Sequence, residues 1–150
     1  MNPQAGVSIS ARAEPGAGAD LQETLAGLRR PQKSLPCKYF YDERVSRLFE
    51  EICGLEEYYL TRTEMAILEA RAGEMAEALG PDCALIEYGS SSARKALFLL
   101  ERMKHPASFV PVDISSRHLA RVAQEIGERL PGLPVYPVCA DFGRPFALPP

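Results

Sequence analysis

The residues best placed to do chemistry are three acids, each standing where an apolar run stops. Ala84-Leu85-Ile86 ends at Glu87 and meets the turn Tyr88-Gly89-Ser90-Ser91-Ser92, after which helix-forming residues resume at Ala93-Arg94-Lys95. Phe109-Val110-Pro111-Val112 ends at Asp113, and Val135-Tyr136-Pro137-Val138-Cys139-Ala140 ends at Asp141-Phe142. A strand, a Gly/Ser turn and a helix in succession set a helix N-terminus and free backbone N–H groups against a nucleotide-like ligand. Asp113 falls 26 residues after Glu87, near the roughly 20-residue spacing at which such folds set a carboxylate against a ribose hydroxyl. Three acids on consecutive strand ends predict a nucleoside-type cofactor lying across one edge of a parallel sheet.

The turn holds one glycine rather than the three of a dinucleotide fingerprint, and no Gly-Lys-Ser/Thr follows it. A pyrophosphate demands very close backbone approach, whereas a sulfonium nucleoside has no phosphates and tolerates a bulkier turn. The single glycine therefore shifts weight from NAD or ATP towards S-adenosylmethionine; a Ser-rich helix cap is the plain structural alternative. Asp113-Ile114-Ser115-Ser116 also reads as a helix start in which the dipole favours the acid, and the two roles are compatible. Asp141 beside Phe142 suits an adenine's amino group and flat face, or simply a turn entrance. Arg94 and Lys95 oppose the dipole of the helix they open, which a nearby ligand carboxylate would offset; a solvated basic face is the alternative. Four phenols, Tyr39, Tyr41, Tyr58 and Tyr59, lie ahead of this unit, as packing residues or as part of a site.

The elements that must position these residues alternate. The pattern predicts strands near 84–88, 108–112 and 134–139, with helices near 94–103 and 116–130. Leu119, Val122, Ile126 and Leu130 form the apolar stripe of the second helix, with Ser115 or Ser116 as its cap. Apolar strands separated by helices mean parallel pairing. The fold class is α/β, the first three strands of a doubly wound, Rossmann-like sheet. Upstream, residues 1–18 read as a disordered tail and 19–80 as a helical segment. Within it, Leu21, Leu25 and Leu28 mark one helix, and Val45, Leu48, Phe49 and Ile52 a second that stops at Gly54. Thr61-Arg62-Thr63-Glu64 reads as a capping box opening a third, closed by Gly80-Pro81. In a doubly wound sheet later strands pair along the free edge of the first. The expectation is that a partner chain or a missing C-terminal region completes the sheet, and that the 150-residue chain alone is inactive.

Composition narrows the partners. A formal net charge of −3 argues against a nucleic-acid binder, which displays a basic excess. No apolar run approaches the roughly 20 residues that span a bilayer, so no membrane is expected. Cys37, Cys53, Cys83 and Cys139 are widely spaced and only His105 and His118 join them, a poor set for a metal site. Four reduced thiols predict a cytoplasmic protein.

Five segments together resemble a known family. Leu35-Pro36-Cys37-Lys38-Tyr39-Phe40-Tyr41-Asp42, Glu57-Tyr58-Tyr59-Leu60-Thr61-Arg62-Thr63-Glu64, Ile86-Glu87-Tyr88-Gly89-Ser90, Pro111-Val112-Asp113-Ile114-Ser115 and Ala140-Asp141-Phe142 occur in that order in the histidine-specific, S-adenosylmethionine-dependent methyltransferases. The resemblance covers about residues 20–145. It implies N-methylation of the α-amino group of an amino acid, as for histidine in ergothioneine biosynthesis. It further implies that Gly89, Lys95, Asp113, Asp141 and Phe142 contact the cofactor, with Tyr41 near it, and that Tyr58 lies in the amino-acid pocket. Departures are Ser91 where the family has a second glycine, Ala96 where it has threonine, and Leu60 where it has proline. The alternative from another class is a non-catalytic nucleoside-binding module, or a split pseudo-enzyme that acts through a partner.

Overall fold

A computed structural model describes residues 17–40, 43–90 and 92–149. Its elements run α1 (Ala17–Arg29), a 3-10 turn (Cys37–Phe40), α2 (Glu43–Gly54), α3 (Tyr59–Leu79), β1 (Ala84–Tyr88), α4 (Ala93–Leu100), β2 (Ser108–Asp113), α5 (Ser116–Arg129) and β3 (Val138–Cys139). The three strands form one parallel sheet in the order β1-β2-β3, as the alternating pattern predicted. Ala84 stands level with Ser108 and Tyr88 with Val112. This leaves β1 at an edge, with its outer side unpaired among the described residues.

The third strand is shorter than predicted, and a proline explains it. Phe109 donates its N–H to the Pro134 carbonyl, and Asp113 accepts from Ala140. Residue 111 faces the same side by the two-residue repeat of a strand. There Pro111 has no N–H to give to the third strand. What survives is Val138–Cys139 plus an isolated bridge between Phe109 and Val135.

Each face of the sheet has its own core. On one, Leu85 and Phe109 pack against Ala93, Ala96 and Leu100 of α4 and Val122 and Ile126 of α5. Phe109, Leu119 and Ile126 are completely buried, each stabilising the fold by about 1.5–3 kcal/mol. Alanines set how closely the helices approach: Ala72 and Ala76 are the buried residues of α3, whereas Ile67, Met75 and Leu79 stay exposed. On the other face Val110, Val112, Val138 and Ala140 are covered by Tyr136 and Phe146, and β1's Ile86 and Tyr88 remain exposed.

Two local expectations are corrected. Thr61 and Glu64 form no capping box, because α3 already begins at Tyr59 with Tyr58 at its N-cap and no side-chain cap. Thr61 instead donates to Cys53 Sγ at 3.3 Å, and Arg62 clamps the carbonyls of Leu55 and Glu56. Ser115 is the N-cap of α5 but does not cap through its hydroxyl; Asp113 accepts the N–H of Ser115 itself. The tail predicted for 1–18 lies outside the described residues as far as Gly16, and α1 opens at Ala17. No helix among the described residues is long and apolar enough to cross a membrane.

Candidate functional site

Parallel pairing brings the C-terminal ends of the three strands to one edge, and the predicted acids with them. At the end of β1, Gly89 adopts φ +72°, the left-handed conformation that glycine enters without strain. A Cβ there would meet nothing within 4 Å, so the turn is open above its Cα. Its N–H is not free, contrary to expectation. Gly89 donates to the Val112 carbonyl at 2.8 Å and Ser90 donates to the same oxygen at 3.4 Å, both extending the ladder between β1 and β2. Ser91 lies outside the described residues. Ser92 leaves the first turn of α4 without a side-chain cap.

Beneath the turn, fully buried Ser90 donates its hydroxyl to Glu87 Oε2 at 2.7 Å. Burial pushes the Glu87 carboxyl above the usual carboxylate range, against the opposing pull of the Ser90 hydroxyl and the Lys95 charge. Asp113 and Glu64 act on Glu87 as like charges, which sets all four groups around one strand end. Lys95, in the first turn of α4, pairs with Glu64 of α3 at 2.8 Å. A protein carboxylate thus already offsets the lysine that seemed to call for a ligand's.

Asp113 ends β2 half-buried, its Oδ1 accepting the Ser115 N–H at 2.9 Å. This Asx turn opens α5. Among the described residues nothing takes its other oxygen. Asp141 lies just past β3, where Gly143 donates its N–H to Oδ1 at 3.0 Å and Lys38 its ammonium to Oδ2 at 2.8 Å. The Lys38 bond, first among the causes, holds the Asp141 carboxyl below the usual range. Beside it the exposed Phe142 ring meets Tyr88 edge-on, with centroids 5.8 Å apart. The edge therefore presents a left-handed glycine, a carboxylate with one oxygen to spare, and an acid next to an open aromatic face.

Tyr58 is set apart from these groups. Its half-buried ring packs edge-on against Phe49 of α2, with centroids 5.9 Å apart, and its hydroxyl has no partner among the described residues. Glu64, on the helix that Tyr58 opens, reaches the strand ends through its pair with Lys95. Tyr41 lies outside the described residues. Sequence reasoning missed Ser90, although an acid three residues ahead of a serine across a tight turn is a local signal. It also missed Lys38 as Asp141's partner, which lies 103 positions away and has no local signature.

Comparison with known proteins adds the family context. A family described as histidine-specific methyltransferase, SAM-dependent, matches residues 20–149. The chain is 40% identical over 124 residues to a histidine N-alpha-methyltransferase of Mycobacterium tuberculosis, covering 81% of this chain and 38% of that protein. It is 40% identical over 133 residues to a protein of the same description from Mycolicibacterium smegmatis, covering 87% and 41%. With ergothioneine biosynthesis protein 1 of Neurospora crassa the identity is 34% over 113 residues, covering 71% of this chain and 13% of that one. The chain thus spans about two fifths of the length of the two bacterial relatives.

Proposed function

The chain belongs to the histidine-specific, SAM-dependent methyltransferases, and we propose that its strand ends hold the nucleoside of S-adenosylmethionine in an enzyme that methylates the α-amino group of an amino acid, histidine foremost. The carrying observation is the convergence at one sheet edge of Gly89, the spare oxygen of Asp113, and Asp141 beside the open ring of Phe142. These groups fit an adenosine: a carboxylate accepts from ribose hydroxyls, a second accepts from the adenine amino group, and an aromatic face stacks on the base. When bound, the cofactor supplies a methyl on a sulfonium that an amine lone pair can displace. The chain's own residues bind and orient. Such positioning is the main source of acceleration where no covalent intermediate is needed. Tyr58's unpaired hydroxyl would meet the amino acid, and Tyr41 and Lys95 would lie towards the cofactor.

Calorimetric titration with S-adenosylhomocysteine, ATP and NADH tests the reading. Binding of the first alone is expected; selective binding of ATP or NADH would overturn it. A nucleoside-binding module without turnover is the second reading, since the groups at the strand ends are ones that bind and orient. Formation of S-adenosylhomocysteine from S-adenosylmethionine in the presence of histidine separates the two.

A further inference from the structure

Helix α1 is fastened to the rest of the chain by charge rather than by apolar burial. Of the leucines that mark it, Leu21 and Leu28 are 56% and 41% exposed and Leu25 is half-buried. Its acids, Asp20 and Glu23, instead face a cluster drawn from two other segments. Lys38 Nζ, on the 3-10 turn, lies 2.7 Å from Glu23 Oε2, 2.8 Å from Asp141 Oδ2 and 4.0 Å from Asp20 Oδ1. The Arg144 guanidinium reaches Glu23 at 3.2 Å, Asp20 at 3.7 Å and Asp141 at 3.6 Å. Tyr39 donates its hydroxyl to Glu23 Oε2 at 2.8 Å.

The loop that carries Asp141 is anchored at its ends, by the Ala140 N–H on the Asp113 carbonyl and by Phe146 on the core, and Lys38 holds the carboxylate between them. The strand before it is two residues long, and Phe142, Gly143 and Arg144 are exposed. Removing the Lys38 charge would leave three carboxylates facing Arg144 alone. We infer that Lys38 is a positioning residue for the nucleoside site: its ammonium fixes the Asp141 carboxylate, and by bridging to Glu23 it couples docking of α1 to binding of the nucleoside, an inference that rests on the site proposed above. Coupling of this kind is reciprocal. If docked α1 favours the ligand, the ligand must favour docked α1.

The test uses the chain, S-adenosylhomocysteine as probe, and the variants Lys38→Met, Lys38→Arg, Asp141→Asn, Glu23→Gln and the Lys38→Met/Asp141→Asn double variant. Lys38→Met should weaken binding by about three- to tenfold, the range that one net hydrogen bond carries. Lys38→Arg should restore most of that affinity. In the Asp141→Asn background Lys38→Met should add little, because the lysine acts through that carboxylate. By hydrogen exchange, the probe should slow the amides of α1 in the wild type but not in Lys38→Met or Glu23→Gln. Unchanged exchange in β2 reports an intact fold, and if Lys38→Met does not fold, Glu23→Gln carries the same test from the other end of the bridge. Equal effects of Lys38→Met with and without Asp141, or ligand-independent exchange in α1, would overturn the inference while leaving the nucleoside site standing. A wild-type chain that ignores the probe would overturn both.

Discussion

Asp113 does two jobs in this structure, and substitution can separate them. One oxygen accepts the Ser115 N–H at 2.9 Å and so starts α5; the other is the one assigned to the ribose. Asp113→Asn keeps a carbonyl oxygen for Ser115 and removes the charge, whereas Asp113→Ala removes both. A hydrogen bond to a charged acceptor contributes about 1.5–3 kcal/mol and a neutral one about 0.5–1.5. The asparagine should therefore cost binding about 1–1.5 kcal/mol, or roughly five- to fifteenfold in affinity. It should cost stability on the same scale, because the Ser115 N–H also exchanges a charged acceptor for a neutral one. The alanine should lose the whole charged contribution in binding. It should also lose about 1.5–3 kcal/mol of stability with the turn bond, and each kcal/mol lowers the midpoint by about 2–4 °C in a chain of this size. Titration calorimetry with S-adenosylhomocysteine and thermal unfolding by circular dichroism read the two quantities separately. An asparagine variant that binds as tightly as the wild type would reduce Asp113 to a helix-starting residue. Equal destabilisation by both substitutions would show that the Ser115 bond contributes nothing.

Glu87→Gln should raise the unfolding temperature at pH 7 and leave it nearly unchanged at pH 4. Burial raises the folded carboxyl above its ordinary value of 4.5, so stability is lost as pH rises from there through the raised value; a variant less stable at pH 7 would show that the ionised Ser90 bond outweighs burial. Gly27→Ala should destabilise the chain by more than the usual helix preference for alanine would gain, since the new Cβ would collide with the Ser34 carbonyl oxygen; unaltered thermal unfolding would refute the close approach. The unpaired edge of β1, with Ile86 and Tyr88 exposed, should make the chain self-associate, and Ile86→Lys should reduce the scattering mass; a wild-type chain that stays monomeric at high concentration would count against it. Tyr58→Phe keeps the ring against Phe49, so the unfolding temperature should hold, while in a form of the protein active on an amino acid the KM for that substrate should rise more than that for S-adenosylmethionine. Equal rises would assign the phenol to the fold instead.

What the sequence made legible is what period alone encodes. The stripe of α5 is buried at Leu119, Val122 and Ile126, and β1 and β2 run where the apolar runs placed them. Where the pattern misled, a competing interaction won. Leu21 and Leu28 have helical spacing yet stay exposed, because the acids of α1 face a cluster of charges. Glu64 has the spacing of a capping box, yet it answers Lys95 on another helix. The strand read from Val135 onwards runs beside Pro111, which has no N–H to give it, and backbone donors are invisible to a hydrophobicity pattern. The three acids were legible as strand ends; their partners, from Ser90 to Lys38, depend on which loops fold back, and spacing does not report that.

The turn at Gly89 bears on the kind of ligand this edge can take. A phosphate is gripped by backbone N–H groups and cations. Here the Gly89 and Ser90 N–H groups are spent on the Val112 carbonyl, Lys95 is paired with Glu64 and Lys38 with Asp141 and Glu23. Recognition then falls on side-chain acceptors and an aromatic face, which is what a nucleoside without phosphates requires. A sulfonium is a cation, and the spare oxygen of Asp113 at the strand ends favours positive charge over negative. The spent N–H groups of Gly89 and Ser90 leave the uncapped first turn of α4 as the backbone donor set at this edge among the described residues, so the acceptors and the aromatic face fit a nucleoside better than a pyrophosphate.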